Sequence, residues 1–139
     1  SSICTNSLVL RLPKVYGNNM GSNFYKKILE DINSKKNIRV AKDQSFSPIS
    51  CEDLYTIIIE SVKRDLVGIY NCGGPDSLSR YDCTQLVYKK YKSTSFIEEC
   101  SLDDFAQTSN VPKDVTMNSS LLYKALDFKP CTFNEYVSK

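Results

Sequence analysis

No histidine occurs among the 139 residues. A Ser-His-Asp triad, a Cys-His nucleophile pair and a histidine metal site are thereby excluded within this chain. Any general acid or base in it must be a carboxylate, a tyrosine, a lysine or a cysteine. No C-x-x-C pair occurs, which removes a zinc ribbon or a thioredoxin-type site. No G-x-G-x-x-G or G-x-x-G-x-x-G is present, so the glycine-rich turn that brings backbone amides to a dinucleotide pyrophosphate is missing. The G-x-x-x-x-G-K of a P-loop is missing as well. Uncharged apolar runs are short, Tyr55–Ile59 being typical, against the roughly 18 residues needed to cross a bilayer. Ser1-Ser2-Ile3-Cys4 has neither the basic start nor the apolar stretch of a signal peptide. The expectation is a cytoplasmic protein with no membrane partner. Neither charge sign dominates, with 18 basic and 16 acidic residues and a net charge of +2, so no field suited to nucleic acid is expected.

What is present fits one soluble domain over residues 1–139: hydrophobic residues make up 41% and charged residues 24%, ordinary for a globular chain. The charge is uneven. The first fifty residues hold eight basic and three acidic side chains, a bias that suits an anionic ligand such as a phosphorylated metabolite, or equally solvated lysines on helix faces, such as Lys26, Lys27, Lys35 and Lys36. Six cysteines are scattered through the chain. Cys72 and Cys83 stand where buried apolar residues would, and all six read as reduced thiols. Asn118-Ser119-Ser120 fits the N-glycosylation triplet but carries no meaning without a secretory route.

Along the chain, Leu8–Leu12 is an apolar run without alternation. Such a run predicts a strand buried on both faces, as in a parallel sheet covered by helices. Phe24, Ile28 and Ile32, with Tyr25 and Leu29 beside them, predict an amphipathic helix over 22–34, followed by a short strand at Ile38–Val40. Residues 41–49 read as a polar connector whose Lys42, Asp43, Gln44, Ser45 and Ser47 suit ligand reading or a plain surface loop. Ser50 caps a helix with Asp53 in its first turn and Leu54, Ile57, Ile58 and Val62 facing the core, ending near Asp65. A strand at Gly68–Cys72 precedes the turn Gly73-Gly74-Pro75-Asp76. Ser79 and Asp82 open a further helix with Cys83, Leu86, Val87 and Tyr91 on one face. A strand at Ser95–Glu98 and a helix at Asn118–Leu126 with Leu121, Leu122 and Leu126 inward come next, and Thr132 and Glu135 form a capping box for a short terminal helix. Alternating strands and helices place the chain in the α/β class.

Two motifs resemble chemistry without carrying it. Gly73-Gly74 follows a strand and precedes a helix, but Pro75 removes an amide donor, so the segment reads as a turn rather than a phosphate loop. Tyr88 and Lys92 are spaced as the Tyr-x-x-x-Lys pair of short-chain dehydrogenases, in which the ammonium lowers the phenol's pKa. Two fixed positions in a chain with nine tyrosines, at a lysine-rich helix end, read as a decoy. No catalytic residue is expected in this chain.

Several segments in order nevertheless resemble a known family. Leu10-Arg11-Leu12-Pro13-Lys14-Val15-Tyr16-Gly17 is similar to the L-R-x-x-x-V-Y-G strand end of extended short-chain dehydrogenase/reductases, and Asn23-Phe24 to the helix opening that follows it. Asp43-Gln44, Ser47-Pro48 and Asp53-Leu54 resemble the D-Q-x-x-S-P-x-x-x-x-D-L run of dTDP-4-dehydrorhamnose reductases. Gly68-Ile69-Tyr70-Asn71, Gly74, and Ser79 with Tyr81-Asp82 resemble their G-I-Y-H…G…S-x-Y-D segment. Pro112-Lys113-Asp114-Val115 with Ser119-Ser120 and Leu122 resembles the late segment ending in S-K-L.

The resemblance implies the C-terminal, substrate-binding part of a Rossmann-type extended fold: the last parallel strands plus a small α/β subdomain. The glycine-rich loop and the catalytic Tyr-x-x-x-Lys would lie upstream of Ser1. It implies a nucleotide-sugar substrate and an NADP(H) cofactor bound mainly by residues outside this chain. Leu12 and Pro13 would approach the nicotinamide. Lys14, in place of a residue that is often Trp, would face the sugar, with Asn23, Gln44 and Lys113 near the nucleotide sugar and its phosphates. Departures from the pattern are Val111 for an arginine, Leu121 for the lysine of S-K-L, and Lys14 itself. The implied activity is 4-keto-sugar reduction in the whole enzyme, with the isolated chain inactive, marginally stable, and either oligomeric or paired with its other half. The alternatives are a non-enzymatic relative that binds a partner protein, like the regulatory subunit of methionine adenosyltransferase, and a nucleotide-sugar epimerase.

Overall fold

The computed structural model describes residues 6–105 and 111–139; Cys4 lies outside them. Strands and short ladders alternate with five helices: β1 (Leu8–Arg11), β2 (Val15–Tyr16), α1 (Phe24–Asn33), β3 (Ile38–Ala41), β4 (Ser45–Phe46), β5 (Ile49–Ser50), α2 (Cys51–Lys63), β6 (Gly68–Asn71), β7 (Leu78–Ser79), α3 (Arg80–Lys90), β8 (Ile97–Cys100), β9 (Asp114–Val115), α4 (Ser120–Leu126) and α5 (Phe133–Ser138). Pairing is mostly parallel, in keeping with the α/β expectation. β1 runs beside β6 with Leu8 opposite Gly68, β2 beside β5, and β3 beside β8 with Ile38 opposite Ile97. β4 lies between antiparallel β7 and parallel β9.

Local chemistry starts the helices where the sequence predicts. The Ser50 hydroxyl accepts from Asp53 N, and Ser79 with Asp82 and Thr132 with Glu135 form reciprocal capping boxes. Asn23 caps α1, its carbonyl oxygen accepting from Tyr25 N and Lys26 N.

Two clusters fill the interior. Tyr16, Phe24, Tyr25, Phe46, Phe133 and Tyr136 meet with Ile28, Cys83 and Val87 between α1, α3 and α5. Tyr16 lies edge-on to Phe133 and to Tyr136, each at 4.9 Å between centroids, the arrangement the ring quadrupoles favour. The second cluster joins Ile49, Ile57, Cys72, Leu122 and Leu126. Long-range hydrogen bonds fix the chain end to both: Phe133 N donates to Asp76 at 2.6 Å and Cys131 N to Asp53 at 3.0 Å.

Six expectations are corrected. β1 is not buried on both faces: Val9 and Arg11 are exposed, because among the described residues no element covers that side. In α2, Ile57 is buried and Leu54 half-buried, but Ile58 and Val62 face solvent for the same reason. Leu121 points outward while Leu122 and Leu126 pack, since only one side of a seven-residue helix meets α2 and β6. Tyr91 is exposed at the C-cap of α3, where the helix has already ended. The connector at 41–49 is also more than a loop. Phe46, Ser47, Pro48 and Ile49 are buried, and β4 and β5 form there. The strand expected at Ser95–Glu98 sits two residues later, where pairing with β3 sets its place.

Candidate functional site

The connector and the start of α3 together build a cavity of about 440 Å³, within the range of small-molecule pockets. Lys14, Gln44, Arg80 and Thr84 line it, with Lys27 and Asp31 from α1 and Arg39 from β3. Pro13 follows the end of β1, and Lys14, the next residue, turns into this space. Lys14 Nζ lies 4.9 Å from the centroid of the Phe46 ring, and the Arg80 guanidinium carbon 5.4 Å from that of Phe24. The two core rings thus hold two cations through their π faces.

Both cations are half-buried, and among the described residues neither forms an ion pair. Burial pulls the Lys14 pKa below its ordinary value, and the Arg80 charge beside it adds to the effect. Burial does the same to Arg80. Arg80 is also the first residue of α3, where the helix dipole favours an anion over a cation. Asp82, the acid of that turn, accepts from Ser79 N and Oγ within the cap. The site therefore holds two desolvated positive charges with no counter-ion among the described residues, an arrangement a bound anion relieves.

The other cations at the cavity are compensated. Lys27 Nζ is 3.0 Å from Asp31 Oδ1, and the hydrogen bond to that buried carboxylate raises its pKa. Arg39 reaches Glu98 at 3.3 Å and Asp104 at 3.8 Å.

The residues singled out from the sequence fall in several places. Lys14 and Gln44 share the cavity, and Gln44 Nε2 donates to Pro112 O at 2.9 Å. Lys113 is exposed outside the cavity lining and is neutralised by Asp103 at 2.7 Å and Asp43 at 3.0 Å. Asn23 is occupied by the fold, its Nδ2 donating to Gly17 O and Gly21 O while Oδ1 caps α1. Leu12 is exposed and Pro13 half-buried just beyond β1, at the C-terminal end of a parallel strand. Gly73 N donates to Ser119 Oγ at 2.7 Å and Gly74 N to Ser47 O at 3.0 Å, so these amides are spent inside the fold, as a turn requires. Lys92 lies past the end of α3 with a left-handed φ of 50°, not one helical turn above the buried Tyr88. Among the described residues no group of three His, Cys, Asp or Glu gathers as a metal site, and no helix is long and apolar enough to cross a membrane. The five described cysteines are free; burial raises the thiol pKa of Cys72 to about 11 and of Cys83 to about 12.

Arg80 is the residue that sequence reasoning missed. Ser79-Arg80-Tyr81-Asp82 reads as a cap. The available signal was a cation at a first helical position, against the dipole.

The model of the family described as RmlD substrate binding domain matches residues 1–139. No curated protein matches the sequence. Among solved structures, a dTDP-4-dehydrorhamnose reductase from Bacillus anthracis in complex with NADP is 21% identical, with a TM-score of 0.84, covering 94% of this chain and 46% of that one. A dTDP-4-dehydrorhamnose reductase from Yersinia enterocolitica is 20% identical with a TM-score of 0.85, covering 97% and 49%. A UDP-N-acetylglucosamine 4-epimerase from Bacillus cereus is 17% identical with a TM-score of 0.73, covering 94% and 43%. The chain has their fold and spans about half their length.

Proposed function

This chain belongs to the RmlD substrate binding domain family, and from that premise we propose that it is the nucleotide-sugar-gripping part of an NADP(H)-dependent 4-keto-sugar reductase. The observation that carries the reading is the pair of half-buried, unpaired cations, Lys14 and Arg80, on one cavity of about 440 Å³. Arg80 offers a planar fork to a diphosphate, and Lys14 a compact charge toward the sugar. Gln44 supplies a polar wall. Asn23 contributes by capping α1, and Lys113 by tying Asp43 to Asp103.

Leu12 and Pro13, at the C-terminal end of β1, border the nicotinamide in this reading, since ligands of parallel α/β sheets sit outside the carboxyl ends of the strands. The cofactor supplies hydride to the sugar when bound. The amides of Gly73 and Gly74 are spent inside the fold, and in this reading the cofactor is held mainly by residues outside this chain. The exposed side of α2 and of β1 is the surface on which a cofactor-binding half would sit. That same surface favours the second reading, a non-enzymatic relative that docks a partner protein there. Free thiols fit a reducing, cytoplasmic setting.

The test is calorimetric titration with a dTDP-sugar and a UDP-sugar. Binding is expected, and Arg80→Gln should weaken it by about 1.5–3 kcal/mol, the contribution of a charged hydrogen bond. Absence of binding, or affinity indifferent to Arg80→Gln, would overturn the reading, and capture of a partner protein by the α2 face without nucleotide binding would favour the second.

A further inference from the structure

Asp31 is the only acid among the described residues that line the cavity, against the cations Lys14, Lys27, Arg39 and Arg80. It is buried while its partner Lys27 is not: the two side chains are 11% and 60% exposed. A carboxylate taken out of water costs stability unless its lone pairs are met, and its two oxygens offer about four sites. Lys27 Nζ meets Oδ1 at 3.0 Å, and among the described residues no donor meets Oδ2. The acid also stands at a set distance from the anion site. Arg80 lies over the ring of Phe24 at the start of α1, and Asp31 follows Phe24 by two helical turns, about 10 Å along the axis. With a diphosphate on Arg80, that is the reach of the ribose and base attached to it. Ile28, Ile38 and Val40 line the same cavity and give it an apolar wall suited to a flat ring.

We propose that Asp31 is a specificity-determining residue, whose free oxygen accepts a hydrogen bond from the ring N–H of a uracil or thymine base while Arg80 holds the diphosphate of the same ligand. The inference rests on the reading of this cavity as a nucleotide-sugar site and deepens it at the base. A pyrimidine dione presents one donor, N3–H, between two carbonyl acceptors. The cavity wall offers the complement: one free carboxylate oxygen beside the Lys27 ammonium, which has two protons left after its bond to Oδ1. Cytosine and adenine present an amino group with two N–H bonds in place of the single ring N–H, and guanine presents both. Each brings donors for which no further acid lines the cavity among the described residues.

The test is calorimetric titration of the protein with UDP, N3-methyl-UDP, 2′-deoxy-UDP and inorganic pyrophosphate. N3-methyl-UDP, which has no base N–H, should bind roughly tenfold more weakly than UDP, the low end for a hydrogen bond to a charged group. 2′-Deoxy-UDP should bind as UDP does. In Asp31→Ala, which removes both the acceptor and any crowding at it, UDP and N3-methyl-UDP should bind alike. On the unaltered protein, the N3–H proton of 15N-labelled UDP should give a bound resonance slowed in its exchange with water, a measurement independent of that variant's folding. Equal binding of UDP and N3-methyl-UDP to the unaltered protein, or a preference that survives Asp31→Ala, overturns the role of Asp31 and leaves the nucleotide site standing. Pyrophosphate binding as tightly as UDP does the same. A loss with 2′-deoxy-UDP in place of N3-methyl-UDP assigns the oxygen to a ribose hydroxyl and overturns the base reading. Failure of both UDP and pyrophosphate to bind overturns the anion site itself, and the role of Asp31 with it.

Discussion

Around Tyr16, helices α1, α3 and α5 close on an aromatic cluster in which Tyr16 and Phe133 are almost fully buried. Around Ile57, helix α2 lies against β5 and α4 and leaves its outer side bare, with Tyr55 and Val62 each 68% exposed and Ile69 of the neighbouring β6 63% exposed. Both clusters are built from strand-helix units of similar sequence character. What separates them is how many sides are covered. The first is closed on itself and carries the cation-lined cavity on its flank. The second has its inner half packed and an apolar outer surface of the kind that marks an interaction site. A binding site needs side chains held by packing, and the proposed one sits beside the cluster that is complete.

The sharpest way to break this comparison is to remove a ring from the closed cluster. Phe133→Ala should cost about 3–5 kcal/mol in urea unfolding, because it leaves a cavity among rings that have no room to shift. A cost below about 1 kcal/mol, the range of a site that tolerates change, would mean that the cluster is not a tight core. Next comes the crossing that joins the two regions. A Cβ on Gly74 would run into the Pro48 carbonyl, whereas Gly68, with its φ of 113°, is restrained by backbone conformation instead. Gly74→Ala should therefore destabilise by about 1–3 kcal/mol through overpacking, read from the same unfolding curves.

A smaller effect is expected from acid. The Asp43 carboxylate accepts from Ser101 Oγ at 2.7 Å, Leu102 N at 2.7 Å and Lys113 at 3.0 Å, tying the connector to the segment after β8. The Ser101 bond first, then Leu102 and Lys113, hold its pKa well below the usual carboxylate range. A group depressed in the folded state stabilises above its unfolded pKa, and that stability is lost as pH falls from about 4 toward the folded value. Asp43→Asn should flatten the acid limb of the stability-pH profile. An unchanged limb would remove the role given to this network. The least effect belongs to the open region: Tyr55→Ser with Val62→Ser should change the stability of the chain alone by no more than about 0.5 kcal/mol, as for exposed positions without special contacts. A large loss in unfolding experiments would show that this surface is already covered in solution, by a second copy or by another part of the protein.

Features set by a few neighbouring residues were legible in the sequence. Ser50, Ser79 and Thr132 announce helix starts because a cap is a local hydrogen bond, and Cys72 and Cys83 read as core thiols from their apolar neighbours. Features set by distant partners were not. β4 owes its place to β7 and β9, residues far along the chain, so the 41–49 connector looked merely polar. The exposed side of α2 was not legible because periodicity reports which residues are apolar and not whether anything covers them. At the site, Lys14 and Gln44 came from a resemblance in sequence. Arg80 did not, because its role follows from meeting Phe24 and Lys14 across the cavity.

The central claim is that a diphosphate settles on Arg80, with Lys14 beside it toward the sugar. It is tested most directly by NMR, following backbone amides and arginine Nε–H signals while a nucleoside diphosphate is titrated in. The account predicts saturable shifts concentrated on Lys14, Gln44, Arg80 and Thr84. Shifts confined to the Gly73-Gly74 turn or to Lys113, or no saturable shifts at all, would contradict it.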